Sequence, residues 1–121
     1  MSLEILAVDD SRTMRDMIRF ALEPAGFTVH TADDGIHGTE VLDSVAPDVI
    51  ITDINMPRMD GFAFIDAVRE IAKYRSTPIL VLTTEAAPEL KQRARAAGAT
   101  GWIVKPFDPI KLVKALQMVA G

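Results

Sequence analysis

Val49-Ile50-Ile51-Thr52-Asp53 runs four strand-forming residues straight into a carboxylate. Consecutive β-branched residues suit a strand covered on both faces, as in the middle of a parallel sheet. The same design recurs along the chain. Ile5–Val8 runs into Asp9-Asp10, Ile79–Leu82 into Thr83-Thr84, and Trp102–Val104 into Lys105. A fifth run, Phe27–Thr31, completes a set of five expected strands.

Between these runs the apolar residues step by three and four, the spacing of one helical face. Met14, Met17, Ile18 and Ala21 define a first helix. Phe64, Ile65, Val68 and Ile71-Ala72 define a third. Ile110, Val113 and Leu116-Gln117 define a last. Stops stand at Gly26, Pro47 and Gly98, after the first, second and fourth helices. Pro88 and Asp108-Pro109 read as helix openings, and Asp33-Asp34-Gly35 and Asp60-Gly61 as turns leading into helices 2 and 3. Strict alternation of strand and helix predicts an α/β fold: a (βα)5 doubly wound, five-stranded parallel sheet with right-handed crossovers. Five strands favour the order 2-1-3-4-5, flavodoxin-like, with a crevice where strands 1 and 3 diverge at their carboxyl ends.

The chain of 121 residues predicts one domain spanning 1–121. A net charge of -4 without a basic stripe argues against nucleic acid and against an anionic membrane surface. With no cysteine, disulfides and thiolate-bound zinc are excluded. No apolar run approaches the roughly 20 residues of a membrane span, and Met1-Ser2-Leu3-Glu4 does not open a signal peptide. A cytoplasmic, soluble protein is expected.

In a parallel sheet the carboxyl ends of all strands lie at one edge, so the fold gathers Asp9, Asp10, Asp53, Thr83 and Lys105 around one crevice. Three adjacent carboxylates raise one another's pKa. Lys105 offsets one charge; a hard dication such as Mg²⁺ offsets the rest, and Mg²⁺ in turn is usually completed by a phosphate oxygen. Taken singly, each residue is as well explained as a solvated loop terminus, with Asp10 or Ser11 as the cap of helix 1. The agreement of four strand ends points to a site.

Val8-Asp9-Asp10-Ser11, Asp53-Ile54-Asn55-Met56-Pro57-Arg58-Met59-Asp60-Gly61, Leu82-Thr83-Thr84-Glu85 and Val104-Lys105-Pro106-Phe107 together resemble the motifs of response-regulator receiver domains, over essentially the whole chain. Asn55-Met56-Pro57 and Gly101–Phe107 are most similar to the stand-alone chemotaxis type, CheY-like. The resemblance implies that Asp53 accepts a phosphoryl group from a histidine kinase. It implies Mg²⁺ on Asp9, Asp10, Asp53 and the backbone carbonyl of Asn55, Lys105 and Thr83 on phosphoryl oxygens, and a cis Lys105-Pro106 bond. Trp102 takes the place of the switch aromatic, usually Tyr or Phe, and Thr84 that of a common alanine. Helix 4, strand 5 and helix 5 become the output face, with Lys91, Arg95, Trp102, Lys114 and Met118. Thr84, Asn55 and Glu85 are placed to tune hydrolysis. No output domain follows Gly121, so a monomer is expected to signal by touching another protein, for which a flagellar motor switch is the leading candidate. A phosphate sink or a phosphorelay intermediate fits the same residues.

Other classes fit less well. A haloacid-dehalogenase-like phosphatase wants a second aspartate two residues after the nucleophile, where Asn55 stands, and a cap domain. An FMN carrier wants a hydroxyl-rich phosphate loop after strand 1, where Asp9-Asp10 would repel the ligand. A docking module without phosphorylation leaves the full acidic set unexplained. His30 and His37 lie on a βα chain rather than on the helical bundle that usually carries a phosphotransfer histidine. Met14, Met17, Met56, Met59 and Met118 read as packing or surface residues.

Overall fold

A computed structural model describes residues 2–120; Met1 and Gly121 lie outside it, and with them the expected closing residue of the last helix. Among the described residues five strands alternate with five α-helices. They are β1 (Glu4–Val8), α1 (Arg12–Leu22), β2 (Thr28–Ala32), α2 (Gly35–Leu42), β3 (Val49–Thr52), α3 (Gly61–Glu70), β4 (Ile79–Thr83), α4 (Pro88–Ala97), β5 (Gly101–Val104) and α5 (Pro109–Ala120). The strands form one parallel sheet in the order β2-β1-β3-β4-β5, as expected. Among the described residues no helix is long and apolar enough to cross a membrane.

Strand parity divides the core. Ile5 and Ala7 of β1, Val49 and Ile51 of β3, and Leu80 and Leu82 of β4 face one side, where Ile18 and Leu22 of α1 and Leu112 and Leu116 of α5 cover them. Leu6, Val8, Ile50, Ile79 and Val81 face the other, against Leu42, Phe64, Ile65, Val68 and Ala94 of α2, α3 and α4. Successive strand side chains point to opposite faces, so these runs must be apolar throughout, and all of β3 and β4 is buried.

Helix boundaries follow local chemistry. Ser11, Asp34 and Asp60 accept hydrogen bonds from the amides of Met14, His37 and Ala63, capping α1, α2 and α3. The α4 helix opens on Pro88 and closes on Gly98 in a left-handed conformation, φ 115°. The α2 helix ends at Leu42, with the Val45 amide still donating to the Val41 carbonyl at 2.9 Å, so Pro47 follows it as expected; the buried Tyr74 hydroxyl donates to the carbonyls of Leu42 and Val45. One sequence expectation is corrected. In α5 the sheet-facing residues are Leu112 and Leu116, whereas Ile110 is 68% exposed. Residues 110 and 112 lie about 200° apart around the helix axis, so Ile110 falls off the covered face, while Leu116 lies in the core as expected and Val113 packs against it.

Candidate functional site: an acidic cluster with one bridging lysine

Asp9 continues β1 and Asp53 continues β3. Each is held as the sheet would hold a strand residue: the Asp9 amide donates to Ala32 and the Asp53 amide to Val8. Adjacent strands in register therefore bring the two carboxylates together. Asp10, exposed, completes a group whose ligand oxygens all lie within 4.8 Å of one another. Lys105, just past β5, crosses the top of β4 and donates to Asp9 Oδ2 and Asp53 Oδ2, both at 2.8 Å. The peptide bond that follows it, Lys105-Pro106, is cis.

Both carboxylates are fixed from behind. The Ile54 amide donates to Asp53 Oδ1 at 2.6 Å and the Ser11 amide to Asp9 Oδ1 at 2.9 Å. Burial pushes the Asp9 carboxyl above its usual range, against the pull of Lys105 and the Ser11 amide. Burial also pulls on Lys105 from the other side, lowering it, but its hydrogen bonds to Asp53 and Asp9 outweigh that and hold the ammonium above the ordinary lysine range. Three carboxylates against one directly paired ammonium leave excess negative charge, and among the described residues no cation pairs with Asp10. A hard, oxygen-only donor set with uncompensated charge fits a divalent cation such as Mg²⁺.

Thr83, at the end of β4, is fully buried. Its hydroxyl accepts from the Glu85 amide at 3.3 Å. Glu85 is a junction: its carboxylate takes the Asn55 side-chain amide at 3.0 Å, and its backbone carbonyl takes the Trp102 indole N–H at 3.0 Å. A continuous line of contacts thus runs from the loop after Asp53 to β5. Trp102 is half-buried and packs on the α2–α4 side of the core. Thr84, between Thr83 and Glu85, is exposed.

The residues assigned to the output face are not all neighbours. Lys91, Arg95 and Trp102 line one groove between α4 and β5. Lys114 lines another, with Ala21 of α1 and Ile110, and Met118 projects at 81% exposure.

Sequence reading also missed contacts made by two arginines. Arg15 donates to the Asp9 backbone carbonyl at 2.7 Å. Arg58, in a left-handed conformation at φ 64°, forks onto the buried Asp34 at 2.5 and 3.0 Å. Asp34 was legible as a helix cap, but nothing in the sequence pairs it with an arginine 24 positions later. The Arg58 hydrogen bond holds the Asp34 carboxyl below the usual carboxylate range. A depressed folded pKa stabilises above the unfolded value and is lost as pH falls through the folded one. Asp34→Asn, which keeps the cap, should therefore melt about 3 °C below the wild type at pH 7. That gap should close as the pH is taken below about 4, the unfolded aspartate pKa. Melting curves of both proteins across this range check it.

The fold and the acidic crevice are those of a receiver-type signalling domain. The family model of the response regulator receiver domain matches residues 5–117, and the chain belongs to that family. Its likeness is to the chemotaxis, CheY-like type. It is 39% identical over 121 residues to the chemotaxis protein CheY1 of Helicobacter pylori strain 26695, covering 98% of each. Its structure matches that of Vibrio cholerae chemotaxis protein CheY4 with a TM-score of 0.94 and 50% identity, over 98% of this chain and 99% of that one. A 106-residue stretch is 38% identical to part of the sensor histidine kinase CheAY of H. pylori, of which it spans 13%. The chain is thus a receiver of the CheY-like signalling-switch class, a class that works between a histidine kinase and a downstream target.

Proposed function

We propose that Asp53 accepts a phosphoryl group from the phosphohistidine of a chemotaxis-type histidine kinase. Asp9, Asp10, Asp53 and the Asn55 backbone carbonyl would hold Mg²⁺. That ion would neutralise charge on the phosphoryl oxygens. The observation that carries this reading is the Lys105 ammonium bridging Asp9 and Asp53 beside an unpaired Asp10. Phosphoryl transfer depends on placement and charge neutralisation, and the side chains present offer both.

In the step itself an Asp53 carboxylate oxygen forms a bond to phosphorus as the P–N bond to the imidazole breaks. The departing ring takes up a proton. Lys105 loses part of its interaction with Asp53 and turns to a phosphoryl oxygen. Thr83, freed from the Glu85 amide, donates its hydroxyl to another. The acyl phosphate is later hydrolysed by water, which returns Asp53 and phosphate; Asn55, Glu85 and Thr84 stand at the approach and set that rate. The added charge of about -1.5 to -2 favours the conformation in which Thr83 and Trp102 have moved inward.

The output is a contact through α4, β5 and α5 with another protein, first among candidates a flagellar motor switch, made by a cytoplasmic monomer. Trp102→Ala should leave phosphoryl uptake within about twofold of wild type and weaken partner binding about tenfold, the cost of a buried aromatic anchor. Pull-down by the beryllofluoride-activated protein, compared with the untreated protein, measures it; unchanged capture by the variant removes Trp102 from the switch. The direct test of the phosphoacceptor is incubation with a small acyl phosphate followed by intact mass. A mass gain of one phosphoryl group with MgCl₂, absent with chelator, is expected. Equal gain in both conditions refutes the metal's part.

A further inference from the structure

We propose that Asp34 and Arg58 are positioning residues that hold the Asn55 backbone carbonyl at the metal site. The inference rests on the Mg²⁺ reading above and adds to it the device that shapes the fourth protein ligand.

The loop between β3 and α3 is fixed at both ends. At its start the Ile54 carbonyl accepts from the Gly61 amide at 2.8 Å. At its far side Arg58 forks onto Asp34, whose side chain is 5% exposed, and the Met59 carbonyl accepts from the Gly35 amide at 3.3 Å. The fit there is close: a Cβ on Gly35 would stand 2.7 Å from Met59 Cγ. Asp34 is itself locked, because its Oδ1 also caps α2 through the His37 amide at 2.9 Å. The first turn of α2, which is packed on the sheet, is thereby the anchor for a loop that carries a ligand carbonyl. Arg58 adopts φ 64° where it makes the fork, a conformation unfavourable for a non-glycine residue. A backbone held in such a conformation marks a position fixed by its partners. Groups that orient a metal ligand without touching the metal commonly alter affinity by about 10–100-fold when removed.

Calorimetric titration of the full chain with MgCl₂ tests this. Arg58→Gly removes the fork and leaves Asp34 unpaired but accepts positive φ, so its melting temperature should fall by no more than the roughly 3 °C expected of Asp34→Asn. Its Mg²⁺ affinity should fall about tenfold. Asp34→Asn should weaken Mg²⁺ in the same direction, and the double variant should be no weaker than Arg58→Gly, because both break one contact. In uptake assays with acetyl phosphate, the Mg²⁺ concentration for half-maximal rate should rise by the same factor while the plateau rate holds. Mg²⁺ affinity within twofold of wild type in both single variants overturns the proposal. So does a lowered plateau with an unshifted Mg²⁺ midpoint. If the wild type itself takes up no Mg²⁺, the metal reading fails and the tether fails with it; normal binding by wild type and variants alike removes the tether alone.

Discussion

Asp53→Asn should lower phosphoryl uptake from acetyl phosphate by at least roughly a thousandfold, because the attacking oxygen is replaced by an amide. The fold should survive. Asp53 is buried, but its Oδ1 role as acceptor for the Ile54 amide passes unchanged to an asparagine oxygen. The other oxygen, now bonded to Lys105, becomes an NH₂ facing an ammonium, and Lys105 turns fully to Asp9. Removing one of three clustered carboxylates also relieves repulsion. The variant should therefore melt no lower than wild type and should still be inert. Intact mass after incubation and a melting curve measure the two halves. Uptake at the wild-type rate would show that another residue is the acceptor.

Gly61→Ala should be the most damaging single methyl in the molecule. A Cβ there would lie 2.2 Å from the Asp53 carbonyl oxygen and 2.7 Å from the Ile54 Cα. Both are backbone atoms of the segment that carries Asp53, and neither can swing aside. Relief requires α3 to back away, which breaks the Gly61 amide bond to Ile54 at 2.8 Å and disturbs the Asp60 cap on Ala63. A loss of about 3 kcal/mol is expected, the upper range for overpacking, with a fall in melting temperature of about 10 °C. Uptake should slow about tenfold as Asp53 is displaced. Gly26→Ala is the contrast. It sits at φ 98° but has nothing within 4 Å, so only the backbone preference is lost, about 1–2 kcal/mol, with uptake intact. Chemical denaturation and uptake rates of the two variants separate crowding from conformation.

Much of this was legible because parallel strands carry their own addresses. Once β1, β3, β4 and β5 are recognised as apolar runs, the residues that follow them must share an edge, and Asp9, Asp53, Thr83 and Lys105 do. Caps were equally readable, since Asp34 and Asp60 bond amides only three residues ahead. What stayed hidden involves side chains far apart in sequence. The Tyr74 hydroxyl donates to the Leu42 carbonyl at the end of α2 from 32 residues away. In α5 the expected stripe caught Val113 and Leu116 but took Ile110 in place of Leu112, because both sets fit a helical period. Only the position of the sheet decides between them. The Arg58 fork and the Glu85 junction depend on loop geometry that no periodicity encodes.

The indole N–H bond to the Glu85 carbonyl has an optical corollary. Trp102 is the chain's single tryptophan, and it is wired through Glu85 to Asn55, two residues past Asp53. The protein thus carries a native chromophore at its own junction, and its emission should report rearrangement of that loop in real time without any attached dye.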